Sequence, residues 1–171
     1  MARVILAIDP GSERSAFVVY DVEADHVLDH GIEPNEWLVD RLRSNDSGLT
    51  INVDEAVIEW MQPRGMATSA QEFETLFWIG RFLEAASYGA RSTMPWPVHR
   101  LTRLRVKQRI CGSAKANDAN IRQALIDRYG GIAGRTGAVG TKAAPGPLHG
   151  VRADVWQALA LGIAWAEGGP A

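Results

Sequence analysis

Residues 4–8, Val-Ile-Leu-Ala-Ile, form an apolar run that stops on Asp9. Pro10, Gly11 and Ser12 follow, and a second run rich in Val, Phe and Tyr leads to Asp21. Apolar runs this short, bounded by turn residues, read as strands, so residues 3–9 and 14–21 are expected to pair as a hairpin across Pro-Gly-Ser turn chemistry. The hairpin restricts the chain to folds with a buried antiparallel pair. It also raises a problem of charge, because a carboxylate at the end of a buried strand is costly unless something pairs with it.

The rest of the pattern alternates. Residues 25–32 add a third strand, and Trp37, Leu38, Val39 and Leu42 give a helix over about 34–44. Residues 54–60 are another short apolar run ending on an acid, Glu59. Residues 69–88 carry a long helical pattern that opens with a Ser69…Glu72 capping box. "MPWPVHR" reads as a strand and "RLRVKQRIC" as a short basic helix. "KANDANIRQALIDRYG" is a helix with Asn117 or Asp118 as its cap and Gly130 at its stop. The six glycines and two prolines of residues 130–147 predict a flexible loop long enough to be functional. "RADVWQALALGIAWAE" closes the sequence as an apolar helix. Strands first, then strand–helix alternation, predict an α/β layer fold with a mixed sheet, and 171 residues without repeat or linker predict one domain.

No apolar run approaches the ~20 residues of a membrane helix. The single cysteine, Cys111, excludes an intrachain disulfide and a cysteine-based metal cluster, and fits a reducing, cytoplasmic setting. Charge is distributed unevenly. Residues 1–90 hold 6 basic and 16 acidic side chains, whereas residues 91–122 hold 8 basic ones and a single acid, Asp118. Such asymmetry predicts a basic face on an acidic body, suited to a polyanion. Arg103, Arg105, Lys107, Arg109 and Lys115 are the candidates to contact phosphates, with Gly112 and Ser113 allowing a close backbone approach.

Asp9 and Glu59 share a context: each ends a hydrophobic strand and precedes a turn with Gly or Pro. If those strands are neighbours, both carboxylates sit at one edge of the sheet. A third acid, Asp154, stands at the start of the last helix, where an acid also serves as an ordinary cap or first-turn charge. Converging carboxylates repel and raise one another's pKa unless cations neutralise them. Hard divalent cations with oxygen ligands do so, and two of them about 4 Å apart clamp the attacking and leaving oxygens of a phosphodiester.

The motifs taken together resemble those of the RuvC-type Holliday junction resolvases. "AIDPGSERSAFVVYD" looks like the first motif of that family, "AVIEWMQ" like the second, "DANIRQALIDRYG" like the helix before the last motif, and "RADVWQALALGIAW" like the final helix. "GTKAAPGPLHGVRADVWQALALG" resembles the phage and prophage branch. The resemblance runs from Ile5 to Trp165. It implies an RNase H-like fold with a mixed five-stranded sheet flanked by helices, and a homodimer that cuts branched DNA. It further implies two Mg²⁺ (or Mn²⁺) ions per site on Asp9, Glu59 and Asp154. The family carries another ligand one turn before the last Asp, where this chain has Val151; His149 is the candidate replacement, and Lys142 a candidate contact to the scissile phosphate. The family's aromatic wedge falls on Gln62, with Trp60, Met61 or Met66 as substitutes. Two other readings stay open. Val151 leaves room for a protein that grips branched DNA without cutting, and the first hairpin also resembles the phosphate-binding hairpin of actin-like ATPases and sugar kinases, which need two such domains.

Overall fold

A computed structural model describes residues 3–43, 53–62, 65, 67–88 and 97–169. Strand β1 (Val4–Asp9) is buried along its length because each residue up to Ile8 is apolar on both faces, as a central strand requires. It pairs antiparallel with β2 (Arg14–Asp21), which pairs antiparallel with β3 (His26–Pro34). On its other side β1 runs parallel to β4 (Glu55–Trp60), and β4 parallel to β5 (Val98–Thr102). The sheet order is β3-β2-β1-β4-β5. The mixed five-stranded sheet is therefore present.

Two cores lie on opposite faces of the sheet, divided by side-chain alternation. Leu6, Ile8 and Ile58 join Leu38 and Val39 of α1 (Asn35–Arg43) and Ile79 and Phe82 of α2 (Ala70–Tyr88). Ile5, Ala7 and Val57 face α3 (Arg103–Cys111), α4 (Asp118–Gly130) and α6 (Val155–Gly168). Helix α6 is the centrepiece of this second layer, with every residue from Val155 to Trp165 buried. A helix apolar all round belongs in an interior. Gly162 lets it approach β1 closely, since a Cβ there would meet the Ala7 Cβ at 3.3 Å.

Local capping follows the sequence. Ser69 and Glu72 bond reciprocally at the start of α2. Asn117, not Asp118, caps α4: its side chain accepts from the Asn120 N–H while the Asn120 side chain accepts from the Asn117 N–H. The glycine-rich segment departs from expectation. Residues 131–133 form a 3-10 turn and α5 (Gly134–Ala138) follows, then a bridge from Gly140 to Pro145. Some glycines here permit close packing, since a Cβ on Gly146 would stand 2.5 Å from both the Gly137 and Ala138 carbonyl oxygens, while Gly131 and Gly134 serve positive φ in open space. Residues 131–138 are thus helical where a loop was expected, packed against α4, while residues 139–147 remain turns and a single bridge.

Candidate active site and nucleic-acid interface

Residues Ile8 and Ile58 are directly paired across the parallel β1–β4 register, which makes Asp9 and Glu59 the next residues on two adjacent strands. Both follow the alternation of Ala7 and Val57, so both belong to the sheet face covered by α3, α4 and α6. This answers why the strand ends on a carboxylate: Asp9 stands at the mouth of a cleft of about 730 Å³, lined also by Glu59, Arg103, Lys107 and Asp118. The turn that follows is pinned. Gly11 N–H donates to Ser15 Oγ at 3.1 Å, Ser15 Oγ donates to Asn35 Oδ1 at 2.6 Å, and Asn35 Nδ2 returns to the Gly11 carbonyl at 2.9 Å. Ser15 and Asn35 are fully buried, so this small polar network fixes the chain just past Asp9. Gly11 itself is required, because a Cβ there would lie 2.3 Å from the Arg14 carbonyl oxygen.

Burial lifts the Asp9 pKa well above the usual carboxylate range, and the facing Glu59 lifts it further; Asp154 and Asp118 push the same way, while Arg103 pulls it down. Burial also raises Glu59, against the pull of Arg103. The contrast with the other acid of the same strand is instructive. Burial would lift Glu55 as well, but it accepts from Trp165 Nε1 at 3.0 Å and Arg3 Nε at 2.6 Å, and its pKa falls below the ordinary value. Glu55 is a finished structural contact. Asp9 and Glu59 are carboxylates still short of positive charge.

Arg103 supplies part of it. Its guanidinium reaches Glu59 Oε2 at 3.2 Å and Asp118 Oδ1 at 2.7 Å, bridging the end of β4 to the start of α4. Arg103 thus stands inside the site, where the charge count placed it only on a basic face. Asp118 was weighed in the sequence only as a cap; with Asn117 capping instead, its carboxylate is left to hold Arg103.

Asp154 occupies the N-cap position of α6, yet its side chain accepts no capping hydrogen bond. The preceding Ala153 adopts a left-handed φ of 45°, an uncommon conformation for a residue with a Cβ that turns the chain sharply into Asp154. The exposed Asp154 lines a second groove of about 580 Å³ that shares Asp118 with the main cleft. Among the described residues no three acidic, His or Cys side chains close around a single point. The donor set nevertheless fits a hard divalent cation in its chemistry: two half-buried strand-end carboxylates of raised pKa open onto a wet cleft, with a third carboxylate within electrostatic reach.

The other predicted residues fall in different places. Val151 is buried in the core, so the position one turn before Asp154 offers no ligand. His149 is exposed with Nδ1 at 3.3 Å from the Val139 carbonyl oxygen, and neither it nor the exposed Lys142 lines the cleft or the groove. Trp60 and Met61 pack against the α1–α2 core and also line the cleft beside the exposed Gln62, while Met66 lies outside the described residues. Trp60 is further held beneath Arg100, whose guanidinium is 4.6 Å from the ring centre. Lys107 lines the cleft, and Arg105 and Lys115 are exposed.

Arg109 is bound to the protein itself. Its guanidinium donates to the carbonyls of Ala164, Gly168 and Gly169, closing the C-terminus of α6. Its expected role at a phosphate gives way to a helix cap, a use of arginine that satisfies orphan carbonyls and complements the helix dipole. Arg109→Gln is expected to cost about 1–2 kcal/mol in chemical denaturation. It should leave the salt dependence of DNA binding unchanged, and a shallower salt slope in this variant would return Arg109 to the interface.

No family model and no curated protein sequence matches the chain. Among solved structures, Thermus thermophilus RuvC superposes with a TM-score of 0.61 at 19% identity, covering 97% of this chain and 96% of that one. This is a RuvC-like fold. A second match, T. thermophilus RuvC in complex with a Holliday junction substrate, has a TM-score of 0.60 at 20% identity and covers 96% and 93% of the two chains. The RuvC-like fold, of the RNase H-like class, thus extends over nearly the whole chain, as the order of the sequence motifs implied. Among the described residues no helix is long and apolar enough to cross a membrane.

Proposed function

We propose that this chain is a divalent-metal-dependent endonuclease that cuts branched DNA, with Holliday junctions as the leading substrate. The observation that carries the reading is the side-by-side placement of Asp9 and Glu59 at the ends of two parallel strands, in a cleft rimmed by Arg103 and Lys107. The junction-bound state of a protein with the same fold supports the choice of substrate.

Asp9, Glu59 and Asp154 would hold Mg²⁺ or Mn²⁺. Metal bound there would supply activation of the attacking water and stabilisation of the leaving 3′ oxygen. The chain's own part is to hold and orient. The rigid β1 strand and the Ser15–Asn35 lock fix the Asp9 carboxylate. Arg103, tethered by Asp118, keeps Glu59 aimed into the cleft and offers a guanidinium for a phosphate. Lys107 from α3 adds a second cation on the same wall. Lys142 and His149 remain candidates from the neighbouring loop. The outward face of α2 exposes Phe73 at 62% and Phe77 at 56%, which supports a homodimer through that helix and hence two sites acting on two strands.

Incubation with a labelled four-way junction, a flap, a Y-fork and linear duplex tests the reading, with Mg²⁺, Mn²⁺ or a chelator. Junction cleavage that needs metal is expected. Equal cutting of linear duplex would remove the structural specificity, and tight junction binding without cleavage in either metal would leave a DNA-binding protein.

A further inference from the structure

The groove beside the main cleft has a property the catalytic reading does not use. Arg122 of α4 lies with its guanidinium 5.2 Å from the centre of the Trp156 ring, and its Nε is buried without a hydrogen-bond partner. Stacking of this kind fixes the plane of a guanidinium while leaving its terminal N–H groups free to bind. Arg135, from α5, lines the same groove and is exposed. Neither arginine forms an ion pair among the described residues, although Arg3, Arg43, Arg103 and Arg128 do. The groove's two acids are otherwise engaged: Asp118 is held by Arg103, and Asp154 is the third carboxylate of the proposed metal site. What the groove lacks is an anion of its own.

We propose that this groove is a second phosphate track, in which Arg122 and Arg135 grip the DNA backbone on the Asp154 side of the cut. The geometry points to phosphate because a stacked, unpaired arginine and an exposed one line a groove that shares Asp118 with the main cleft. A strand crossing Asp9 and Glu59 would continue into it. The inference rests on the reading of the main cleft as the place where that strand is cut. The folded 131–138 segment acquires a purpose here, since α5 is what brings Arg135 to the groove.

The test is the salt dependence of four-way-junction binding, measured with EDTA present so that no strand is cut, alongside junction cleavage in Mg²⁺. Each neutralised phosphate contact contributes about 0.9 to the slope of log affinity against log salt. Arg122→Gln and Arg135→Gln are each expected to lower the slope by about that amount. Arg122→Lys, which keeps the charge and loses the stacking plane, should keep the slope and bind more weakly. Arg43→Gln, a charge removed from the far side of the protein, should change neither. Arg135 is exposed, so its variant stays informative if Arg122→Gln misfolds. Unchanged slopes together with normal cleavage would overturn the track and leave the cutting site standing. Lowered slopes in a protein that cuts no junction would overturn both, because no cut strand would then run into the groove.

Discussion

Asp9→Asn is expected to abolish strand cleavage while leaving junction binding close to that of the parent protein. Loss of a carboxylate that anchors a metal removes several kcal/mol of transition-state stabilisation, or roughly a thousandfold or more in rate. A stability effect of the opposite sign should accompany it. The folded-state pKa of Asp9 is raised, by burial first and by Glu59 second, so the folded metal-free protein binds this proton more tightly than the unfolded chain does. That contribution to stability is complete below the ordinary aspartate range, about pH 4, and is lost as pH rises through the raised folded-state value. Above that range the carboxyl costs the metal-free fold stability, and asparagine, which does not titrate, removes the cost. The melting midpoint of metal-free Asp9→Asn should exceed that of the parent at pH 7 and match it near pH 4. Mg²⁺ or Mn²⁺ should raise the midpoint of the parent and not of the variant. A variant that still cuts, or a parent that gains nothing from metal, would place the reaction elsewhere.

The second large effect concerns α2. Phe73→Glu with Phe77→Glu is expected to convert a dimer into a monomer in analytical ultracentrifugation and to replace paired incision of a junction by single nicks. Burial of a phenylalanine contributes roughly 1.5–3 kcal/mol, and the symmetric contact would bury two from each protomer, so the dimer constant should weaken by several powers of ten. The inner face of the helix, with Ile79 and Phe82 buried, is untouched by the change, and the fold should persist. A parent protein that sediments as a monomer at micromolar concentration would remove the paired-site model.

How far the sequence foretold this molecule depended on the range of the interaction concerned. Strand-ending acids were readable because alternation is a local rule, whereas the parallel pairing of β1 with β4 that brings Asp9 and Glu59 side by side is a long-range contact that the sequence left open. The Ser69–Glu72 cap was readable for the same reason, spanning three residues, whereas at α4 the sequence left Asn117 and Asp118 both open and the reciprocal Asn120 bond unseen. The arginines were not readable. A charge count treats Arg103, Arg109 and Arg122 alike, yet the fold sets one between two acids, one on the end of a helix met only after 55 further residues, and one on an indole. The glycines of 130–147 misled because glycine signals freedom and close approach equally, and only the carbonyls around Gly146 reveal which applies. Asp154 was legible as an acid at a helix start; that it leaves its own helix uncapped was not.

Helix α6 joins two duties in one element: it begins at Asp154 and forms the most continuous block of the interior. The site and the fold consequently rise and fall together. A nascent chain not yet extended to α6 lacks Asp154 and more than a third of the buried residues of one core in the same moment. Damage to α6 should therefore yield an unfolded chain, not a folded one with an altered site.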